Sequence, residues 1–168
     1  MTFPVHHLSR PAAVLAGAAA LVLSVSACGV LGGADDAKRD SASGEITESA
    51  EASVFSLEVK DCLVMPSAGE TMVESLQALP CDQPHDGQIY AEQTLTELPE
   101  QTELDAMAQE FCLAEFEPFV GAAYESSVLE VTFLYPTEQS WDQGDDALQC
   151  VAQHPSEMVT QSFEGSAL

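Results

Sequence analysis

The placement of the cysteines is the feature that most limits how this 168-residue chain can fold. One of the five follows an apolar N-terminal run directly, and this is Cys28. The other four are spread over the rest of the chain: Cys62, Cys81, Cys112 and Cys150. An even set of cysteines in an exported chain is typical of a small domain held by disulfides. The question is therefore whether the N-terminus directs export.

The first 27 residues have the parts of a secretory signal peptide. Residues 1–10 contain Arg10 and no acid, and residues 11–25 are uncharged and rich in Ala, Leu and Val. This apolar run is shorter than the roughly 20 residues that a permanent membrane-spanning helix needs. We expect the segment to direct export and then to be removed.

The signal ends in Val25-Ser26-Ala27-Cys28, which resembles a bacterial lipobox. In lipobox processing the cysteine sulfur is joined to diacylglycerol, and cleavage makes that cysteine the first residue. The alternative is ordinary secretion, because Val25-Ser26-Ala27 also resembles a plain signal cleavage site. Lipidation of Cys28 would leave an even set of four cysteines. It predicts a protein anchored in the membrane by its acyl chains, on the outer face of the cytoplasmic membrane.

The stretch from 28 to 53 has the composition of an acidic flexible tether. After Cys28 it consists mainly of Gly, Ala, Ser, Asp and Glu, with few large apolar residues to bury. Treated as a flexible coil, it would span roughly 25–30 Å, enough to clear the lipid headgroups. We therefore predict a signal peptide at 1–27, a lipidated tether at 28–53 and a folded domain at 54–168.

The domain shows a pattern of strands, then one helix, then strands. Alternating or short apolar runs predict strands at Phe55–Val59, Cys62–Met65, Gln88–Leu95, Val128–Tyr135 and Ala147–Ala152. This order predicts an α+β fold, in which one main helix packs on a small, mainly antiparallel sheet.

Apolar residues recur at spacings of three to five between Leu104 and Phe119, which predicts the helix. Thr102 and Asp105 resemble a capping box at its start, and Pro118 and Gly121 are expected to end it. Four cysteines allow three pairings, and the sequence does not choose among them. Proximity favours Cys62 with Cys81 and Cys112 with Cys150, which would give two disulfides.

The charge of the chain excludes one class of partner. With 28 acidic residues against 4 basic ones, the formal net charge is −24. A chain this acidic is repelled by phosphate backbones, so nucleic acid is not an expected partner.

Several short motifs follow one another along the domain: Val59-Lys60-Asp61-Cys62, Pro80-Cys81-Asp82-Gln83-Pro84-His85-Asp86, Phe111-Cys112, Tyr135-Pro136-Thr137, and Trp141-Asp142-Gln143-Gly144-Asp145 before Cys150. Together they resemble the septum formation-related domain, a family found mostly in actinobacterial envelope proteins. Lys60 stands where that family usually has Gly, and Asp146-Ala147 replaces a more usual basic and apolar pair. The resemblance implies an envelope location and a link to septum formation, but no established reaction or ligand.

The residues that could carry chemistry are few. His85 beside Asp86 could form a general base or a metal ligand, with His154 as the one histidine able to join them. The same residues also suit a turn next to Cys81 and Pro84, and we favour the turn. Trp141 could be an exposed binding anchor, although a lone Trp more often covers a core. The acidic loop that follows it does not have the spacing of a calcium loop.

The established catalytic motifs are absent from the sequence, so we expect no enzyme activity, no cofactor and no metal. Three hypotheses remain: a tethered module that binds an envelope protein or a cell-wall component, a weak or metal-dependent envelope hydrolase, and a purely structural envelope protein. We favour the binding module, with His85, Asp86 and Trp141 as candidate binding residues. A cleft joining His85, Asp86 and His154 would favour the hydrolase.

Overall fold

The computed structural model describes residues 37–66 and 73–168. The predicted signal peptide and Cys28 lie outside these ranges. Within them, the strands form one antiparallel sheet in the order β1-β3-β2-β4-β6-β5. The strands are β1 Ala50–Ser53, β2 Cys62–Val64, β3 Ser75–Leu79, β4 Gly87–Thr94, β5 Glu130–Leu134 and β6 Ala147–Gln153. The helices are α1 Gln101–Val120 and α2 Glu138–Trp141, and short 3₁₀ turns lie at Val54–Ser56 and Tyr124–Ser126.

Helix α1 covers one face of the sheet. Its buried side chains recur every four residues and therefore share one side of the helix: Leu104, Ala108, Cys112, Phe116 and Val120. They pack in one cluster with Tyr90 of β4 and Leu148 of β6. The Tyr90 hydroxyl donates a hydrogen bond of 2.6 Å to the Cys112 carbonyl, and burial raises the pKa of Tyr90 well above its usual range. The predicted α+β class is confirmed.

The two ends of α1 differ in how well they were predicted. Gly121 ends the helix with a φ of 84°, and its N–H bonds to the Glu117 carbonyl. This left-handed conformation suits glycine, so the predicted end at Gly121 is correct, whereas Pro118 lies inside the helix and does not end it. The predicted capping box at Thr102 and Asp105 is wrong, because the helix begins at Gln101 and its N-cap residue, Glu100, makes no side-chain capping bond.

The opposite face of the sheet is covered by the chain before β2. Ala37, Ile46, Ala52 and Leu57 are buried there in one cluster with residues from β2, β3, β4 and β6. The structure therefore differs from the predicted tether, because residues 37–53 lie on the domain and β1 pairs along its length with β3. Ala37, Ile46 and Ala52 are buried against this face, although the composition of residues 37–53 is otherwise that of a linker.

An ion pair fastens this N-terminal segment. The Arg39 guanidinium donates two bonds of 2.6 Å, one to each carboxylate oxygen of Asp61, and a third of 2.9 Å to the Ser56 carbonyl. Asp61 is buried and also accepts a bond of 2.8 Å from the Glu58 N–H. A fork-to-fork contact of this kind fixes both position and orientation.

The remaining strand predictions are partly correct. The strand predicted at Phe55–Val59 is wrong: the Ser53 side chain accepts a bond from the Phe55 N–H, a 3₁₀ turn follows, and Phe55 is half exposed. Strands β1 and β3 were not predicted. The predictions at Cys62–Met65, Gln88–Leu95, Val128–Tyr135 and Ala147–Ala152 correspond to β2, β4, β5 and β6.

Both favoured disulfides are present. Cys62 at the start of β2 is joined to Cys81, which follows β3, with 5.3 Å between their Cα atoms. Cys112 of α1 is joined to Cys150 of β6 at 5.4 Å, so this bond ties the helix to the sheet. Across residues 37–66 and 73–168, no helix has the length and apolar character to cross a membrane.

Candidate functional site

His85 lies in the interior of the domain. Its Nδ1 is 2.8 Å from the Gln83 carbonyl, and since a carbonyl can only accept, Nδ1 carries the hydrogen. The ring lies 5.5 Å from that of Phe163, and the backbone of His85 exchanges two hydrogen bonds with Val159. The ring is fully buried, so it does not face a surface cleft.

Asp86 and His154 accept hydrogen bonds from backbone N–H groups. Asp86 Oδ1 accepts a bond of 2.7 Å from the Met65 N–H, and its carbonyl accepts one of 2.7 Å from the His154 N–H. The His154 ring uses Nδ1 to accept a bond of 3.1 Å from the Glu157 N–H. No cleft brings the imidazoles of His85 and His154 together with the Asp86 carboxylate, and in the described ranges no cluster of His, Cys, Asp and Glu could hold a metal ion.

Trp141 ends the short helix α2 and is partly buried. It packs against the cluster under α1, and it is not among the large apolar side chains exposed in the described ranges. A capping box between Thr137 and Ser140 holds α2 in place, and Gly144 makes the turn after it with a φ of 97°. The structure thus gives Trp141 a packing contact, and it does not bring Trp141 together with His85 and Asp86.

A groove lies elsewhere, beside the Cys62–Cys81 disulfide. This disulfide groove has a volume of about 490 Å³ and is built from four segments. Its lining comes from 43–46, 58–62, 79–82 and the C-terminal residues Ser162 and Glu164, together with Gln88. Two of these segments belong to the motifs around Cys62 and Cys81, and the first belongs to the stretch predicted to be a tether.

Gln88 holds the floor of the disulfide groove together. It is buried, and its Nε2 donates a bond of 3.0 Å to the Lys60 carbonyl. Its Oε1 accepts bonds of 2.6 Å from the Phe163 N–H and 3.1 Å from the Ser162 hydroxyl. The C-terminal segment is thereby fixed to the loop that carries Asp61 and Cys62, so the walls of the groove are held by satisfied polar contacts.

The rim of the disulfide groove is acidic. Glu45, Glu58, Asp82 and Glu164 line it, and among the described residues Lys60 is the one lysine or arginine in its lining. The Lys60 ammonium pairs with Glu164 at 2.9 Å. Each Lys and Arg of the described ranges has an acidic partner: Lys38 with Glu48, Arg39 with Asp61 and Glu58, and Lys60 with Glu164. Two of the four rim carboxylates, Glu45 and Asp82, therefore have no lysine or arginine partner among the described residues.

The groove could not be recognised from the sequence. Lys60 and Asp61 belong to a motif, but Arg39 and Glu45 lie in the predicted tether. The one available signal was the unusual Lys at a position that usually holds Gly. Lys60 has a φ of 85°, in the left-handed region where Gly is favoured, while its N–H bonds to the Ile89 carbonyl at 2.7 Å. The loop imposes a glycine conformation on a lysine.

We expect this backbone conformation to cost stability in a measurable way. Lys60→Gly and Lys60→Ala both remove the ion pair with Glu164, but only glycine relieves the left-handed conformation. The free energy of unfolding of the Gly variant should exceed that of the Ala variant by about 1 kcal/mol. Urea unfolding of both variants, with the disulfides intact, measures the difference. Equal stabilities would show that the loop imposes no strain at this position.

Comparison with known proteins gives one family. No curated protein and no solved structure matches the chain. A family model described as septum formation matches residues 25–150 and 91–167, and these ranges include the motifs that line the disulfide groove. Because the match covers most of its length, the chain belongs to the septum formation family, which indicates a septum-related role in the cell envelope.

Proposed function

We propose that this protein is an extracytoplasmic lipoprotein, anchored through Cys28, whose domain binds an envelope partner in the disulfide groove. The observation that carries the proposal is the convergence of the motifs around Cys62 and Cys81 on one open groove. Asp61 and His85 are buried members of these motifs, and the more exposed Val59, Lys60 and Asp82 line the groove.

The partner of the groove should carry cationic groups. Glu45 and Asp82 line the rim, and in the described ranges neither has a lysine or arginine partner. A complementary positive surface would speed association and set the orientation of binding. Basic segments of envelope proteins and cell-wall components that bear amino groups both have this chemistry.

The groove favours a binding module over a purely structural protein, and the positions of the histidines do not favour a hydrolase. A purely structural protein needs no concave surface lined by polar groups, whereas binding sites are typically concave with a few placed polar groups. The hydrolase hypothesis depended on a cleft joining His85, Asp86 and His154, and the structure gives these residues other contacts. No specific observation favours hydrolysis.

The anchor has a direct test, because Cys28 lies outside the described residues. Intact mass of the protein extracted from its native membrane should show a chain that begins at a diacylglyceryl-modified Cys28. A Cys28→Ala variant should lack the lipid and leave the membrane fraction, because the acyl chains supply the membrane affinity. An unmodified Cys28 in membrane-bound protein would contradict the anchor.

The groove is tested by placing a photo-crosslinking side chain at Val59, which lines it and is 41% exposed. In cells, we expect this position to capture a specific envelope partner. Adding Asp82→Lys should lower the crosslink yield roughly tenfold, because a rim attraction becomes a repulsion.

The matched control is Glu110→Lys, which makes the same charge change at an exposed position of α1 outside the groove. It should leave the yield unchanged. If both variants lower the yield equally, only net charge matters and the groove is not the binding site. A yield unaffected by either variant would also contradict the proposal.

A further inference from the structure

Strand β5 forms one edge of the sheet and is paired only with β6 among the described strands. In an antiparallel sheet, successive residues of a strand direct their N–H and C=O groups alternately to the two sides. The residues of β5 that turn away from β6 therefore have backbone groups available at this edge.

Two hydrogen bonds between the β4 and β6 sides of the sheet fix which residues these are. The Leu95 N–H bonds to the Asp146 carbonyl at 2.7 Å, and the His154 N–H bonds to the Asp86 carbonyl at 2.7 Å. The N–H and C=O groups of the even-numbered residues of β6 thus point toward β4, and those of the odd-numbered residues point toward β5. By the register, Glu130, Thr132 and Leu134 bond to β6. The N–H and C=O groups of Val131 and Phe133 must then point outward.

Two of the usual protections of an edge strand, a lysine or a proline within the strand, are missing from β5. Natural edges are often blunted by lysine, proline or a covering segment. Strand β5 reads Glu-Val-Thr-Phe-Leu, without a lysine or proline, and four of its five residues are partly exposed. No backbone bond from the described residues, apart from the ladder to β6, reaches Val131 or Phe133.

A second groove lies beside the end of this strand. This edge groove has a volume of about 260 Å³, with apolar walls from Val54, Val73 and Leu134. Glu74 and Asp145 also line it, and no lysine or arginine of residues 37–66 and 73–168 does. It shares no lining residue with the disulfide groove.

We propose that the free edge of β5 and the edge groove accept an extended basic peptide segment of a partner as an added strand. Backbone bonds to Val131 and Phe133 would give affinity, and alternate side chains of the peptide would reach the apolar walls and the carboxylates. The basic character follows from charge complementarity, because each Lys and Arg in the described ranges already has an acidic partner. A second copy of this chain is disfavoured as the occupant, because each copy has a formal charge of −24.

The test uses the full chain, isotope-labelled for amide exchange, and a capped peptide of about eight residues that alternates lysine with valine. In the free protein, the Val131 and Phe133 amides should exchange rapidly despite their position in a strand. The peptide should slow exchange at these two amides. A peptide of the same length that alternates glutamate with valine should have no effect.

Variants of β5 and of the edge groove localise the binding. Val131→Pro removes an outward N–H without removing a bond to β6, and Val131→Ala controls for the lost side chain. The proline variant should bind the lysine peptide about tenfold more weakly than the alanine variant. Asp145→Lys should weaken binding about tenfold as well, and it keeps the test valid if proline disturbs the fold.

Three results would overturn this assignment. Equal binding by the proline and alanine variants, together with an unaffected Asp145→Lys, would exclude the strand edge. Equal binding of the glutamate peptide would exclude charge complementarity. Protection of Val131 and Phe133 that rises with protein concentration in the absence of peptide would assign the edge to a second copy of the chain.

Discussion

The contact between Arg39 and Asp61 is the interaction on which the rest of the structure depends. Asp61 is buried, and its carboxylate receives both arms of the guanidinium at 2.6 Å. Its carbonyl also accepts the Ile89 N–H of β4 at 2.9 Å, and Cys62 follows it directly. A buried carboxylate is tolerated only when it is paired and hydrogen-bonded, so the chain before β1 must stay on the domain for Asp61 to remain satisfied.

This constraint explains why a groove forms beside the first disulfide. The segment held by Arg39 supplies one wall, the motif loops around Cys62 and Cys81 supply two more, and Gln88 brings the C-terminal segment against them. The second disulfide acts separately, by holding α1 on the other face of the sheet. The domain thus presents a rigid, acidic concave surface, and its family membership puts that surface in the cell envelope.

The sequence predicted the parts of this fold that depend on local periodicity. The helix, four strands and the cysteine pairs follow from spacing and proximity. The Arg39–Asp61 contact could not be predicted, because it joins residues 22 positions apart and depends on packing.

Other differences from the predictions have local causes. The linker-like composition of 37–53 gave no sign that apolar residues such as Ala52 are buried against the sheet. At Phe55, the alternating pattern was overridden by a hydrogen bond from its N–H to the Ser53 side chain. His85 follows a turn closed by the bond from the Gln83 N–H to the Pro80 carbonyl and forms an antiparallel bridge with Val159, and its complete burial was not foreseen.

A double-mutant cycle on Arg39 and Asp61 tests whether this ion pair holds the N-terminal segment on the domain. Arg39→Met keeps the aliphatic stem and Asp61→Asn keeps the shape, so the cycle isolates the ion pair in the free energy of unfolding. We predict that Arg39→Met alone destabilises the domain by about 3 kcal/mol, because Asp61 is left buried and unpaired, and that the double variant recovers much of this loss. We also expect protease to cut the 37–47 segment more readily in Arg39→Met than in the double variant. A small loss in Arg39→Met with additive effects would show that another contact holds the segment and the groove wall in place.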